Sequence, residues 1–132
     1  MSTSKHTPSP WKVGDIYDLH GYMPVLPIDD EDGNEIAQAI FWPGAGDGGQ
    51  DESRANARLI AAAPIMLEAL EAAEVATAFG NAWANNDRGA IAELVASNPE
   101  IHGDMSEGSA HNILKRKATD LRRAAIKKAR GE

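Results

Sequence analysis

The chain has 132 residues, 42% hydrophobic, 25% charged and only 5% aromatic, so it is bounded to a single domain, residues 1–132, whose core Ala, Leu and Ile must fill. It contains no cysteine, which excludes disulfides and thiolate chemistry. Its longest mostly apolar run, Leu59 to Leu67, falls far short of the ~20 residues of a membrane span, and the polar start Met1–His6 lacks the apolar stretch of a secretory signal. The net charge of −7 is unevenly placed. Up to Ser53 only Lys5 and Lys12 oppose a long row of Asp and Glu. From Ile113 onward a row of Lys and Arg is opposed only by Asp120 and Glu132. An acidic front and a basic rear steer partners or pair with each other.

In chain order, a polar lead-in reaches Pro10 and Trp11, and Trp11-Lys12-Val13 begins an extended segment. Tyr22–Ile28 and Glu35–Trp42 read as two further strands around Asp29-Asp30-Glu31-Asp32-Gly33-Asn34. Asp-Gly between apolar runs signals a hairpin, because glycine accepts the positive φ of the turn. Ile36, Ala37, Ala39, Ile40, Phe41 and Trp42 are expected to face a core. Pro24 and Pro27 demote their strand to an edge, since proline cannot donate to a ladder. Pro43–Gln50 reads as a glycine-rich loop, and a helix starts near Asp51–Ser53 with one of those residues as its N-cap.

That helix is expected to bury Leu59, Ile60 and Ala63 and to end or bend at Pro64. A second helix runs from Ile65 to about Phe79 with Met66, Leu70 and Ala73 on its packed face. A break around Trp83 precedes a short helix capped by Asp87, carrying Ile91, Leu94 and Val95 and ending at Asn98-Pro99. A loop over 99–108 leads to a last helix, about Ser109–Ala129, with Leu114, Ala118, Leu121 and Ala125 on one side. The fold class is α+β: a small antiparallel hairpin or meander packed on an Ala-rich bundle of three to four helices. The single domain divides into a β-rich segment over residues 1–50, a helical core over 51–98, the loop 99–108 and the basic helix 109–132.

Few constellations carry chemistry. Gly44, Gly46 and Gly49 match the spacing of a dinucleotide-binding loop, but Asp47, Asp51 and Glu52 would repel a pyrophosphate and no second parallel strand follows. Asp29–Glu35 lacks the first ligand of a calcium loop, Ile28 standing in its place. His102, Asp104 and His111 are loosely spaced for a metal on a Gly/Ser-rich stretch and read as exposed loop histidines. His6 and His20 have no acid or nucleophile beside them. No catalytic residue, metal or cofactor follows, and the protein is expected not to be an enzyme.

Three segments resemble a known group. His6-Thr7-Pro8-Ser9-Pro10-Trp11-Lys12-Val13 is similar to the HTPGPW-type start of many small phage and prophage accessory proteins. Ala55–Pro64 with Leu67-Glu68-Ala69-Leu70 resembles their ANARLIAAAPELLEAL signature, and Arg123–Ala129 their AxAAIAKA ending. The chain departs from the pattern at Ser9 and at Ile65-Met66, and carries extra sequence from Ala72 to Asn112. The resemblance implies a bacteriophage protein made in the host bacterial cytoplasm and brings no functional residues with it.

The expectation is therefore a non-enzymatic phage protein that binds a host protein or complex. It would act as an inhibitor of a host defence system, anti-CRISPR-like, through the acidic residues Asp29, Asp30, Glu31 and Asp32. The alternative is a nucleic-acid-binding or regulatory module using Lys115, Arg116, Arg122, Arg123, Lys127 and Arg130, which the overall negative charge disfavours. Trp11, Phe41, Trp42, Phe79 and Trp83 are available to form an apolar patch suited to a homo-oligomer.

Overall fold

Asp30 and Gly33 set the first tertiary contact. In a computed structural model, which describes residues 6–19, 23–40 and 46–132, Gly33 adopts φ +85°. Its N–H donates to the Asp30 carbonyl at 3.1 Å, and the Asp30 N–H to the Asn34 carbonyl at 2.9 Å. This is a turn closed by a left-handed glycine, which fixes the register of the strands it joins. Those strands are β3 (Met23–Asp29) and β4 (Glu35–Ile40), paired antiparallel from Val25↔Ile40 to Asp29↔Glu35. Two short strands, β1 (Lys12–Val13) and β2 (Tyr17–Leu19), also pair antiparallel with β3 and complete a four-stranded sheet.

β3 is thus the central strand, not an edge, despite Pro24 and Pro27. The reason lies in where the missing donors point. The Gly14 N–H donates to the Pro27 carbonyl at 2.9 Å, so the backbone of Pro27 faces the side of β1 and β2. There the partner advances from Gly14 to Tyr17 while β3 moves only from Pro27 to Val25. That extra residue falls in the link between β1 and β2, where the ladder is interrupted and an absent donor is tolerated. Backbone groups of successive residues face alternate edges, so Pro24 faces the β4 side, beyond Val25↔Ile40, the last pair among the described residues.

Gly14 is held to its identity by contact. A Cβ there would lie 2.6 Å from Asp29 Oδ2 and 2.9 Å from Pro27 Cγ. The carboxylate can swing away, but the proline ring cannot. Gly14→Val is expected to cost about 1–3 kcal/mol, the range of overpacking, read as a lowered denaturant midpoint. An unchanged midpoint would mean that the edge is looser than this contact requires.

Helix α1 runs from Gly46 to Ala84 with Pro64 inside it. It begins earlier than Asp51–Ser53, and it does not end at Pro64. Nothing in the local propensities accounts for helix through Gly46, Gly48 and Gly49. Ser53 is no cap; its buried hydroxyl donates to the Ile40 carbonyl at 3.0 Å, joining the helix to the end of β4. Pro64 removes one bond of the ladder, but Ala61–Ala63 before it and Leu67–Leu70 after it are strong helix formers.

The chain divides into two compact units. In the first, Ser4–Ile65 with Ala124–Glu132, one core gathers Leu26, Ile28 and Ala39 of the sheet with Ala57 and Ala61 of α1, flanked by Trp11, Ile36, Ala37 and Ile60. Ile40 is 48% exposed, contrary to its expected place, and Phe41 and Trp42 lie outside the described residues. The buried side of α1 is also not the expected one: Ala57, Ala61 and Ala62 are buried, whereas Leu59 and Ala63 are exposed. Alanines let a helix lie close to a sheet, and bulkier side chains are left for the outer face.

Residues of the phage-type signatures have local work here. The Trp11 indole donates to the Thr7 carbonyl at 3.0 Å, and His6 meets the Trp11 ring edge-on at 6.0 Å. Helix α3 (Glu107–Arg130) closes on Gly131, φ +75°. The Gly131 and Glu132 amides donate to the Lys128 and Lys127 carbonyls, a Schellman cap. Arg58 lies against Gly131, near enough that a Cβ there would sit 2.7 Å from its Nε, so the signature arginine packs at a helix C-terminus, where a cation is favoured.

The second unit, Met66–Arg123, packs Ala76, Phe79 and Ala82 of α1, Ile91 of α2 (Arg88–Ser97), Ile101, and Ala110 and Leu114 of α3 into one core. Asp87 caps α2 as expected, its carboxylate accepting from the Ala90 amide at 3.1 Å. The expected face of Met66, Leu70 and Ala73 is instead exposed; Leu70 is 67% accessible. Four strands followed by three helices make the fold α+β.

Candidate functional site

The acidic candidates divide by role. Asp30 holds the hairpin. Its Oδ1 accepts from the Asp32 and Asn34 amides, each at 2.9 Å, and its Oδ2 from Asn34 Nδ2 at 3.3 Å. The Asn34 amide above all, helped by the Asn34 side chain and the Asp32 amide, keeps this carboxyl below its ordinary pKa. A carboxyl whose pKa falls on folding contributes stability above its unfolded pKa and loses it as pH drops through the folded one. Asp30→Asn should therefore flatten the acid side of the stability–pH curve, below the ordinary carboxylate range. A variant whose acid slope equals that of the parent would remove this assignment. Asp29 ends β3 beside Gly14, and Glu31 and Asp32 are exposed at the hairpin tip.

Beside the hairpin the sheet carries a polar cluster that joins Glu35 and Gln38 of the expected strand to Tyr17 of β2, a strand that was not expected. The Tyr17 hydroxyl donates to Glu35 Oε1 at 2.7 Å, while Gln38 Nε2 donates to the Tyr17 oxygen at 2.9 Å and to Glu35 Oε2 at 3.3 Å. Donation to Glu35 raises the Tyr17 pKa. The alternation Tyr17-Asp18-Leu19 was the available signal for β2, but three residues are too few to stand out by periodicity.

The basic candidates behave as one face. Lys115, Arg116, Arg122, Arg123, Lys127 and Arg130 are all exposed. At about 100° per residue Arg116, Arg123, Lys127 and Arg130 fall opposite Leu114, Ala118, Leu121 and Ala125, with Lys115 and Arg122 on the flank between the two sides; Leu114 and Ala125 are buried. Ile126, 43% exposed, lies among the cations. Among the described residues the ion pairs on this helix are made by others: Lys117 with Glu100, and Glu107 with Arg88. Sequence reasoning missed both pairs because each joins residues far apart in the chain.

The described histidines lie apart. His111 sits on α3, half-buried rather than in a loop. It stacks on Phe79 at 6.1 Å and meets Trp83 edge-on at 5.9 Å. Gly80 makes room for it: a Cβ there would lie 2.9 Å from His111 Nε2. His102 and Asp104 are exposed around a turn closed by Met105 N–H to the His102 carbonyl at 3.2 Å. Among the described residues no group of three His, Asp or Glu converges to hold a metal ion. Gly46 and Gly49 are in the first turn of α1, not in a loop ahead of it; Gly44 and His20 lie outside the described residues. Of the aromatics expected to form an apolar patch, Phe79 is fully buried, Trp11 packs on the sheet core and Trp83 is 42% exposed, while Phe41 and Trp42 lie outside the described residues.

Fold and surface together define a small α+β protein that carries an acidic hairpin and a basic helix face. The chain belongs to the family described as Salmonella phage P22 protein Y8K6, whose model matches residues 1–132. It is therefore a bacteriophage protein, as its signatures implied. No curated protein and no solved structure matches it. No described helix is long and apolar enough to cross a membrane.

Proposed function

We propose that this phage protein is a non-enzymatic binding factor, acting in the host bacterial cytoplasm, that engages a host protein through surface charge and blunts a host defence, in the manner of an anti-CRISPR inhibitor. One observation carries this reading: both charged surfaces stay open. Glu31 and Asp32 are exposed, the six cations of α3 are exposed, and among the described residues no ion pair engages any of them. Charge left unneutralised within a chain acts on partners at a distance, speeding encounter and selecting for the opposite sign. Self-association belongs to the same reading and is supported by the exposed Met66, Leu67 and Leu70. A sedimentation series that shows a monomer at every concentration removes that element of it.

The test is a plaque assay on hosts with active CRISPR immunity. The expressed protein should restore plaquing of a targeted phage, and a Glu31→Lys, Asp32→Lys double variant should lose the effect while retaining its melting curve. Full immunity in the presence of the parent protein, across CRISPR types and other defences, would sink the proposal.

The single run of cations along α3 favours a second reading, a nucleic-acid-binding module. Binding through these residues should weaken steeply with salt, and each charge removed should lower the slope of log K against log salt by about one. Gel shifts in which no duplex or single strand is retained at low salt exclude it.

A further inference from the structure

Two exposed helix faces carry apolar side chains flanked by charges of opposite sign. The first lies on α1, within the unit Met66–Arg123. Leu67, Leu70, Glu71 and Glu74 stand at i, i+3, i+4 and i+7 and so share one face of the helix. Leu67 is 38% and Leu70 67% exposed, and both glutamates are exposed beside them. The second lies at the end of α3, in the unit that contains Ala124–Glu132. There Ile126 is 43% exposed, and Lys127 and Arg130 are exposed with it. Lys127 and Arg130 repeat the spacing of Glu71 and Glu74, three residues or about 4.5 Å along a helix axis.

Neither set of charges is neutralised within the chain: among the described residues no ion pair engages Glu71, Glu74, Lys127 or Arg130. The flanking charges select what covers the leucines. A second α1 laid on the first would bring the carboxylates of both copies together, and like charges repel. A nucleic acid would set its phosphates against the same carboxylates. The end of α3 brings an isoleucine to the leucines and a cation to each carboxylate, which is complementary in both respects.

We propose that the end of α3 of one copy docks on the Leu67–Glu74 face of α1 of another, joining copies head to tail. The proposal rests on the self-association in the function proposed above and names the surfaces that carry it. The two faces differ, so the contact is heterologous and builds rings or open chains.

Sedimentation velocity of the full chain, before and after nuclease treatment and over a concentration series at low and high salt, tests it. At low salt the mass should grow with concentration. Raising salt to roughly 0.5 M should weaken association about tenfold, the scale of two exposed charge pairs. A Glu71→Lys, Glu74→Lys variant should weaken it at least as much, and so should a Lys127→Glu, Arg130→Glu variant. An equimolar mixture of the two, in which each supplies the face the other has lost, should associate like the parent. Leu70→Ser probes the apolar part without altering charge and should weaken association about tenfold.

A monomer at every concentration overturns both this contact and the self-association it rests on. Association that salt or Leu70→Ser leaves unchanged overturns the contact alone, as does a mixture that associates no better than either charge variant. Assembly lost on nuclease treatment overturns it too and would assign the cations of α3 to nucleic acid. If either charge variant lacks the melting transition of the parent, the salt series and Leu70→Ser decide.

Discussion

Phe79→Ala is expected to cost about 3–5 kcal/mol, the range for emptying a buried aromatic site. Phe79 is fully buried, and its ring packs in the core that joins α1, α2 and α3 and stacks beside His111. Much of that core is alanine: Ala76, Ala82 and Ala110 cannot extend into the space a phenyl ring leaves. The matching control is Leu70→Ala on the same helix. Leu70 is 67% exposed, and in dilute solution, where the chain is monomeric, its truncation should change stability by less than about 0.5 kcal/mol, as at ordinary surface positions. Urea unfolding of both variants reads the difference directly. Comparable losses from the two would show that Leu70 is covered in solution, as self-association requires. A small loss from Phe79→Ala would break the core assignment itself.

Leu26→Ala should cost about 2–5 kcal/mol, toward the upper end of that range. Leu26 is 2% exposed, pairs with Ala39 across the sheet, and lies in the cluster that holds Ala57 and Ala61. With alanine as neighbour on strand and helix alike, the site cannot collapse around the truncation, and the cavity term stays large. Leu59→Ala, at a half-exposed position of α1, is its control and should be close to neutral. If Leu59→Ala is instead the costlier change, α1 presents its other face to the sheet.

Both pairs of variants separate two ways of assigning a helix face. The pattern of large apolar residues points to Leu59, Met66 and Leu70, and packing selects Ala57, Ala61, Ala69 and Ala76. In a segment where nearly every residue is apolar, hydrophobicity gives little contrast around the helix. Size then decides, because a close approach admits small side chains and excludes large ones. The same effect hides the partners of Arg58 and His111. Their seats are glycines, Gly131 and Gly80, far along the chain in each case, and no local pattern announces them.

The charged surfaces were more legible. Charge and helical spacing alone place six cations on one side of the last helix, and the structure keeps them exposed. The acidic run was legible as a hairpin, but its four residues are not equivalent. Asp30 is consumed by the turn it builds, and only the hydrogen-bond geometry distinguishes it from Glu31 and Asp32. The Glu100–Lys117 pair had no signal at all, since nothing local relates a loop carboxylate to a lysine seventeen positions on.

Turn chemistry, cap residues and net charge, which act over a few neighbours, were determined by the sequence alone: the Asp-Gly hairpin, the Asp87 cap, the basic face and the phage signatures. Tertiary structure decided what depends on distant groups. It made β3 central with Pro27 facing the break between β1 and β2, carried α1 through Pro64, turned alanines inward, and paired Glu100 with Lys117. Each of these rests on which atoms crowd one another across the fold, and a linear pattern carries no record of that crowding.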